Sequence, residues 1–152
     1  MLKVGVIGLG VGEKHVEGYL QHADCEVVSL CDLTDEKLAM AGEKYPGMKI
    51  VSDAGEILED REIDVVSIAS YDNYHYEQII TALNQDKHVF VEKPLCLNIQ
   101  EAQDIRKCLR EHPGLKLSSN LVLRTCPRFK RIRDVFHSGA MGRLFCVEGD
   151  YY

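Results

Sequence analysis

Short apolar segments alternate with segments of helical periodicity along most of the sequence, and this alternation constrains the fold more than any other feature. Six segments rich in valine, isoleucine and leucine, each bounded by polar or turn residues, are typical of buried strands: LKVGVIG, EVVSLCD, MKIV, DVVSIAS, HVFVE and KLSSNLV. Strands that alternate with helices favour parallel pairing with right-handed crossovers. The sequence therefore predicts an α/β fold with a doubly wound parallel sheet.

Two of the connecting helices can be placed from their patterns. In NIQEAQDIRKCLREHPG, Asn98 and Glu101 resemble a capping box, Pro113 with Gly114 provides a stop, and the apolar residues lie three or four positions apart. A helix in the preceding crossover is predicted from the four-residue spacing of His75, Ile79 and Leu83.

The last thirty residues have a different pattern. A helical pattern from Phe129 to Phe136 ends at the turn HSGAMG, and the period-two run RLFCVEGDYY follows. A lone edge strand is one that natural proteins cover or pair. We therefore expect one domain over residues 1–120, and over 121–152 a connecting helix with the first strand, 143–152, of a mostly absent C-terminal α/β domain. The alternative is a one-domain protein that ends on an edge strand.

Composition excludes several functions. The 152 residues carry a formal net charge of −6, which argues against nucleic acid or anionic membrane as a partner. The basic group Arg128, Lys130, Arg131 and Arg133 is interpreted as a solvated helix face. None of the six cysteines forms a CxxC pair and no charged-then-apolar leader precedes the first strand, so we expect reduced thiols in a cytoplasmic protein, with no metal site.

A glycine-rich turn, GVIGLGVGEKH, joins the first strand to a helix. Gly8 allows a tight turn, and Gly10 lets the backbone of the loop, which includes Val11, approach a ligand. The following helix would present unpaired N–H groups and its positive end to a pyrophosphate. A GxGxxG pattern would need glycine in place of Glu13, so Gly12 would serve in a loop one residue shorter.

An aspartate closes the second strand. Asp32, followed by Leu33, lies twenty-two residues after Gly10, where a dinucleotide-binding fold needs an acid for the adenosine ribose hydroxyls. A carboxylate there would repel the extra phosphate of NADP, and no arginine follows in DLTDEK, so NAD is predicted and NADP is less favoured. The alternative is an aspartate that only caps a helix or turn.

The stretch HVFVEKPL places Glu92 and Lys93 at the carboxyl end of a buried strand, the edge at which parallel sheets bind ligands. With the glycine loop, His15, Asp32, SYDNYH, DKHVFVEKPL and LVLR, the sequence resembles the N-terminal nucleotide-binding domain of the glucose-fructose oxidoreductase, inositol dehydrogenase and rhizopine catabolism (Gfo/Idh/MocA) family, which has a Rossmann fold. The sequence departs from the family in its shortened glycine loop and in Tyr71 and Asp72, where the family usually has Pro-Asn.

The resemblance implies that Lys93 is catalytic and contacts both nicotinamide and substrate, orienting the reacting hydroxyl and assisting its proton transfer. We expect burial to lower the pKa of Lys93. Glu92 would contact the nicotinamide ribose, and Pro94 would stiffen the turn, with a cis bond as one option. The alternative for Lys93 is a surface lysine paired with Glu92.

Further roles follow from the resemblance. Ser70, Tyr71 and His75 would line the cofactor pocket, although a helix-capping or a satisfied, partly buried histidine is at least as strong an alternative for His75. Asn120 would face the nicotinamide, and Arg124 would bind substrate or fix the domain junction. His15 is interpreted as structural. None of the cysteines is expected to be a nucleophile.

Family members carry a second catalytic group, much of the substrate pocket and most oligomer contacts in a C-terminal domain. We therefore expect this chain to bind NAD without appreciable turnover, as part of a homo-oligomeric NAD(P)-dependent dehydrogenase of a sugar, sugar derivative or polyol. A non-enzymatic dinucleotide sensor is the first alternative. An inactive structural module, which would bind no nucleotide, is the second.

Overall fold

A computed structural model describes residues 1–150 of the chain. In this part of the chain a single parallel sheet has the strand order β3-β2-β1-β4-β5-β6, with the strands Leu2–Ile7 (β1), Cys25–Cys31 (β2), Lys49–Val51 (β3), Val65–Ile68 (β4), His88–Val91 (β5) and Leu117–Ser119 (β6). The chain runs outward from β1 to β3, then returns and runs outward from β4 to β6. The predicted doubly wound fold is confirmed, and its strand order reverses between β1 and β4.

The helices cover both faces of the sheet, as continuous burial of the central strands requires. The described helices are Gly12–Leu20 (α1), Asp35–Lys44 (α2), Gly55–Leu58 (α3), His75–Asn84 (α4), Ile99–Glu111 (α5) and Pro127–His137 (α6). One apolar cluster joins the sheet to α3, α4 and α5 through residues such as Ile57, Ile79 and Ile105. The other joins it to α1 and α2 through Val16 and Ala41. Both patterned helices of the first domain, α4 and α5, are where the sequence predicts them.

The predicted start of α5 is confirmed in its main feature. The Asn98 side chain accepts a hydrogen bond from the Glu101 N–H at 3.0 Å, which satisfies one of the unpaired donors in the first turn. The Glu101 carboxylate accepts from the N–H of Leu97 at 2.7 Å, one residue before the position expected in a capping box.

The chain divides into two compact units, Met1–Asn120 and a second that starts at Leu121. The second unit contains α6, and Gly139 and Gly142 adopt positive φ in the turn that follows it. The strand predicted for residues 143–152 is not formed over residues 143–150, and Tyr151 and Tyr152 lie outside the described residues. A strand needs a neighbour for its backbone hydrogen bonds, and the alternating pattern does not supply one.

Among the described residues, no helix is both long and apolar enough to cross a membrane.

Candidate functional site

An open cavity of about 520 Å³ lies at the carboxyl ends of the first four strands, where the strand order reverses. This is the crevice in which open α/β sheets bind their ligands. It brings together seven of the predicted cofactor-binding residues: Gly8, Gly10, Val11, Asp32, Leu33, Ser70 and Tyr71.

The glycine loop forms one wall of the cavity and depends on Gly8. Its φ is +89°, and a Cβ there would lie 2.3 Å from the carbonyl oxygen of Ala69 at the end of β4. Gly12 has a different role: its Cβ would lie 3.1 Å from the Ala69 Cβ and 3.2 Å from Val6, so glycine lets α1 pack closely on the sheet. Val11 provides no side-chain cap to α1, which leaves N–H groups of the first turn available to an anion.

Asp32 connects this loop to the end of β2. Its Oδ2 accepts a hydrogen bond from the Leu9 N–H at 2.7 Å, and its Oδ1 accepts one from the Thr34 N–H at 2.9 Å. Burial by itself raises the pKa of Asp32, but the hydrogen bonds from Leu9 and Thr34 outweigh it, so the pKa lies below its ordinary value. Asp32 is therefore ionised at neutral pH and also has the turn-capping role that the sequence left as an alternative.

Lys37 is a cavity residue that sequence reasoning missed. Its Nζ lies 3.3 Å from Asp32 Oδ2, and it is one of the residues that line the cavity. The sequence search considered arginine alone in DLTDEK. The sequence signal was a lysine five residues after Asp32, in the first turn of the following helix, α2.

A second polar cluster lies under the ends of β5 and β6. Glu92 Oε1 accepts a hydrogen bond from Asn120 Nδ2 at 2.7 Å and contacts His15 Nε2 at 3.1 Å, while Oε2 accepts from the Lys93 N–H at 3.2 Å. The other ring nitrogen of His15 contacts the Ser67 hydroxyl at 2.9 Å. Burial raises the pKa of Glu92, but hydrogen bonds from Asn120 and His15 outweigh it, and the pKa lies below its ordinary value. Both carboxylate oxygens of Glu92 thus have protein partners, whereas the sequence predicted a contact of this side chain with the nicotinamide ribose.

The turn after β5 presents Lys93 to solvent, so the expected burial of this side chain is wrong for this chain. The Lys93–Pro94 peptide bond is cis, one of the two options for this turn. His75 is fully buried, with Nδ1 2.7 Å from the Pro94 carbonyl oxygen and Nε2 3.1 Å from that of Ser70. It contacts a carbonyl oxygen of each loop and is not among the residues that line the cavity.

Apart from Gly12 in α1 and the buried His75, the predicted residues fall into three places. Seven line the cavity, whereas Glu92, Lys93 and Asn120 lie at the ends of the next two strands along the same sheet edge. Arg124 is exposed in a short 3₁₀ turn, Val122–Arg124, of the second unit.

Two of the thiols can be assigned a protonation state. All six cysteines are free. Burial raises the pKa of Cys96, and it raises that of Cys31 to about 12, so both are protonated at neutral pH.

Comparison with known proteins agrees with this geometry. Residues 2–120 match the sequence profile of the Gfo/Idh/MocA oxidoreductase family, described by its NAD-binding Rossmann fold. The chain belongs to this family. The predicted resemblance is confirmed, and the cavity lies in the NAD-binding domain of the Gfo/Idh/MocA fold.

Individual relatives fit the same assignment. The chain is 30% identical over 145 residues to a myo-inositol 2-dehydrogenase of Thermotoga maritima, covering 93% of this chain and 42% of that enzyme. A scyllo-inositol dehydrogenase from Lactobacillus casei, solved with NAD(H) and scyllo-inositol, is 25% identical with a TM-score of 0.85 over 93% of this chain and 42% of its own. A mutant 3-ketoreductase from Actinomadura kijaniata, in complex with TDP-benzene and NADP, is 26% identical with a TM-score of 0.80 over 91% of this chain and 42% of its own. The chain therefore spans less than half the length of these relatives.

The Glu92 cluster leads to a testable pH dependence of stability. We expect Glu92→Gln to lower the free energy of unfolding by about 1–2 kcal/mol at pH 7, because the amide N–H₂ cannot accept the bond that Oε2 accepts from Lys93. The folded-state pKa is lowered, so the contribution of Glu92 is complete above the ordinary glutamate pKa and is lost as the pH falls through the folded-state value. Urea unfolding between about pH 7 and pH 3 should therefore show the difference between wild type and variant shrinking below about pH 4.5.

The matched control is Glu43→Gln, which removes an exposed carboxylate on α2. It should be nearly neutral across the pH range. A constant difference between Glu92→Gln and wild type at every pH would contradict the role given to the ionised Glu92.

Proposed function

We propose that this chain is the cofactor domain of a dehydrogenase that transfers a hydride between NAD and a secondary alcohol of a sugar, sugar derivative or polyol. The main support is the bond from the Leu9 N–H to Asp32, which joins the glycine loop and the ribose-binding acid in one cavity at the reversal of strand order. The substrate class rests on the relatives, two of which are named as inositol dehydrogenases.

The cavity residues fit the parts of a dinucleotide. The Gly8–Gly12 loop and the uncapped first turn of α1 would hold the pyrophosphate. This loop needs glycine at position 8, because a Cβ there would clash with the backbone of Ala69. The Asp32 carboxylate would accept hydrogen bonds from the adenosine ribose. Leu33 and Tyr71, both largely exposed on the cavity wall, would contact the adenine. Ser70 would be the first of the residues that contact the nicotinamide half of the cofactor.

Lys93 is the catalytic group of the proposal. The bound cofactor supplies or accepts the hydride at its nicotinamide ring. As an ammonium, Lys93 would stabilise the charge that develops on the substrate oxygen and donate a proton to it during reduction; during oxidation the neutral amine would accept the hydroxyl proton. A role for Arg124 in binding substrate or fixing the domain junction stays a prediction.

The side chains packed against the Lys93–Pro94 turn would act by positioning this turn. Glu92, held by His15 and Asn120, accepts a hydrogen bond from the Lys93 N–H, and His75 contacts the carbonyl oxygen of Pro94. We therefore assign Glu92 to orienting Lys93 in place of the nicotinamide ribose contact expected from sequence. Asn120 donates one N–H to Glu92, and its second N–H and its carbonyl oxygen would be available to the nicotinamide.

NAD is proposed as the preferred dinucleotide because Asp32 is ionised and repels a 2′-phosphate. Calorimetric titration should show tighter binding of NAD than of NADP. Asp32→Asn should weaken NAD binding by about ten- to a hundredfold, since hydrogen bonds to a charged acceptor contribute roughly 1.5–3 kcal/mol. Asp24→Asn is the matched control, because it removes the same charge from an exposed loop. Absence of NAD binding to a folded wild-type chain would overturn the proposed function.

A cytoplasmic location stays a prediction. Homo-oligomerisation through a C-terminal domain stays a prediction.

A further inference from the structure

The buried side chain of His15 connects three elements of the fold. His15 lies on α1, its Nδ1 is 2.9 Å from the Ser67 hydroxyl on β4, and its Nε2 is 3.1 Å from Glu92 Oε1 after β5. The ring also packs edge-on against Phe90, with centroids 5.1 Å apart. The side chains of His15 and Glu92 are only 7% and 13% exposed. Water therefore competes little for the contact between them.

The hydrogen bonds of His15 have one consistent direction. The lowered pKa of Glu92 keeps its carboxylate ionised at neutral pH, and an ionised carboxylate can only accept. In the neutral imidazole, Nε2–H therefore donates to Glu92, and Nδ1 accepts from the Ser67 O–H. Serine, histidine and glutamate in this order resemble a nucleophilic triad, but Ser67 is completely buried and cannot reach a substrate. What these three side chains can do is position one another.

Helix α1 links this contact to the proposed pyrophosphate site. The helix begins at Gly12, and Val11 leaves the N–H groups of its first turn without a side-chain cap. His15 lies three residues after Gly12 on the same helix, so a diphosphate bound to the first turn would restrain the backbone of His15. Glu92 then passes this restraint to the Lys93–Pro94 turn, because its Oε2 accepts from the Lys93 N–H at 3.2 Å.

The Glu92 carboxylate needs both of its neighbours to keep this orientation. Asn120 Nδ2 donates to Oε1 at 2.7 Å, and His15 contacts the same oxygen from α1. Without His15, the carboxylate would keep only the bond from Asn120 on this oxygen. Rotation about the side-chain torsions of Glu92 would then move Oε2 away from the Lys93 N–H.

We propose that His15 is a positioning residue that couples the pyrophosphate site to the Lys93–Pro94 turn, so that a diphosphate bound at α1 orders the backbone of Lys93. This inference rests on the proposed function, because it requires a dinucleotide at the glycine loop. The coupling runs through a continuous series of contacts from α1 through His15 to Glu92. Lys93 is then held most firmly when the cofactor is present.

The test is hydrogen exchange of the Lys93 backbone N–H in the 152-residue chain, measured by NMR without ligand and with saturating NAD, ADP or adenosine. ADP has the diphosphate but lacks the nicotinamide and its ribose, the half of the cofactor that would lie beside Lys93. We expect NAD to slow the exchange by about tenfold and ADP by about fivefold. Adenosine has no phosphate and should slow it by less than about twofold.

Three variants separate coupling through His15 from a general loss of stability. His15→Phe keeps a ring against Phe90 but removes both nitrogens, so NAD and ADP should slow the exchange by less than about twofold, with Kd for NAD within about threefold of wild type. His15→Gln keeps an N–H donor for Glu92 and should restore a slowing of about threefold or more. His88→Phe is the matched control, because His88 accepts the Lys116 N–H at 3.1 Å at the opposite end of β5. It should keep the wild-type response, and thermal unfolding checks that each variant is folded.

The outcomes distinguish the two levels of the proposal. Exchange that slows with NAD but not with ADP, or with neither, would overturn the coupling through His15, and this comparison needs only the wild-type chain. An undiminished response in folded His15→Phe would overturn it as well, as would an equal loss of response in His88→Phe. Each of these results leaves the proposed function intact if NAD binds. Absence of binding of both NAD and ADP to folded wild type would overturn the proposed function together with this inference.

Discussion

Gly8→Ala is expected to abolish measurable NAD binding and to lower the free energy of unfolding by about 3 kcal/mol or more. Two effects add at this position. The φ of +89° is unfavourable for any residue with a Cβ, at a cost of about 1–2 kcal/mol. The new Cβ would also lie 2.3 Å from Ala69 O and 2.7 Å from Ser70 N, which are backbone atoms fixed by the sheet. Relief would require the loop to move away from β4, and the pyrophosphate site would be lost.

Gly47→Ala is a matched control because it isolates the strain. Gly47 has a φ of +96°, but a Cβ there would meet nothing within 4 Å. We expect it to cost about 1 kcal/mol and to leave NAD affinity unchanged. Urea unfolding and calorimetry on the three proteins give the comparison. Equal losses of stability in the two variants would show that the contact with Ala69 does not constrain Gly8.

Lys93→Met is expected to lower turnover by about 10²- to 10⁴-fold in a full-length dehydrogenase that contains this chain. The variant loses the ammonium that would stabilise the substrate oxygen, while the exposed position of Lys93 leaves the core and the glycine loop intact. NAD affinity should therefore change by less than about threefold. Steady-state kinetics on a panel of sugars and polyols, with NAD titration in parallel, separates the two effects.

The same experiment distinguishes an enzyme from a dinucleotide sensor. Lys116→Met, at an exposed position before β6, provides the control and should keep wild-type turnover. A sensor would bind NAD but show no turnover in wild type on any substrate. Turnover retained by Lys93→Met would instead assign the chemistry to another residue, and a module that binds no nucleotide would fail already at the titration with NAD.

The fold and much of the cavity could be predicted because each depends on local sequence. The strands follow from short runs of valine and isoleucine, and the start of α5 follows from Asn98, whose side chain bonds the Glu101 N–H. Gly8 and Asp32 lie at the ends of adjacent parallel strands, so strand order alone brings them to one edge. The strand expected over residues 143–150 was wrong because strand formation depends on a neighbour, and a period-two pattern indicates only compatibility with one.

The direction in which individual side chains point could not be predicted from the sequence. Glu92 was assigned to the cofactor from its place after β5, yet its carboxylate contacts His15, seventy-seven residues earlier, and Asn120. His75 was correctly placed at a helix start, but only the packed loops show that both of its ring nitrogens contact backbone carbonyl oxygens. His15 lies on α1, Asn120 follows β6, and the two carbonyl oxygens belong to the loops after β4 and β5.

The sequence by itself determined the doubly wound sheet, the position of the glycine loop and the acid after β2, because hydrophobic periodicity and backbone restrictions act over a few residues. Only the tertiary structure decided which charges meet. Lys37 lies 3.3 Å from Asp32, and Glu92 lies 3.1 Å from His15, because strand order and helix packing fix these distances. Electrostatic interaction depends on separation in space and on burial, and neither is encoded in the distance between two residues along the chain.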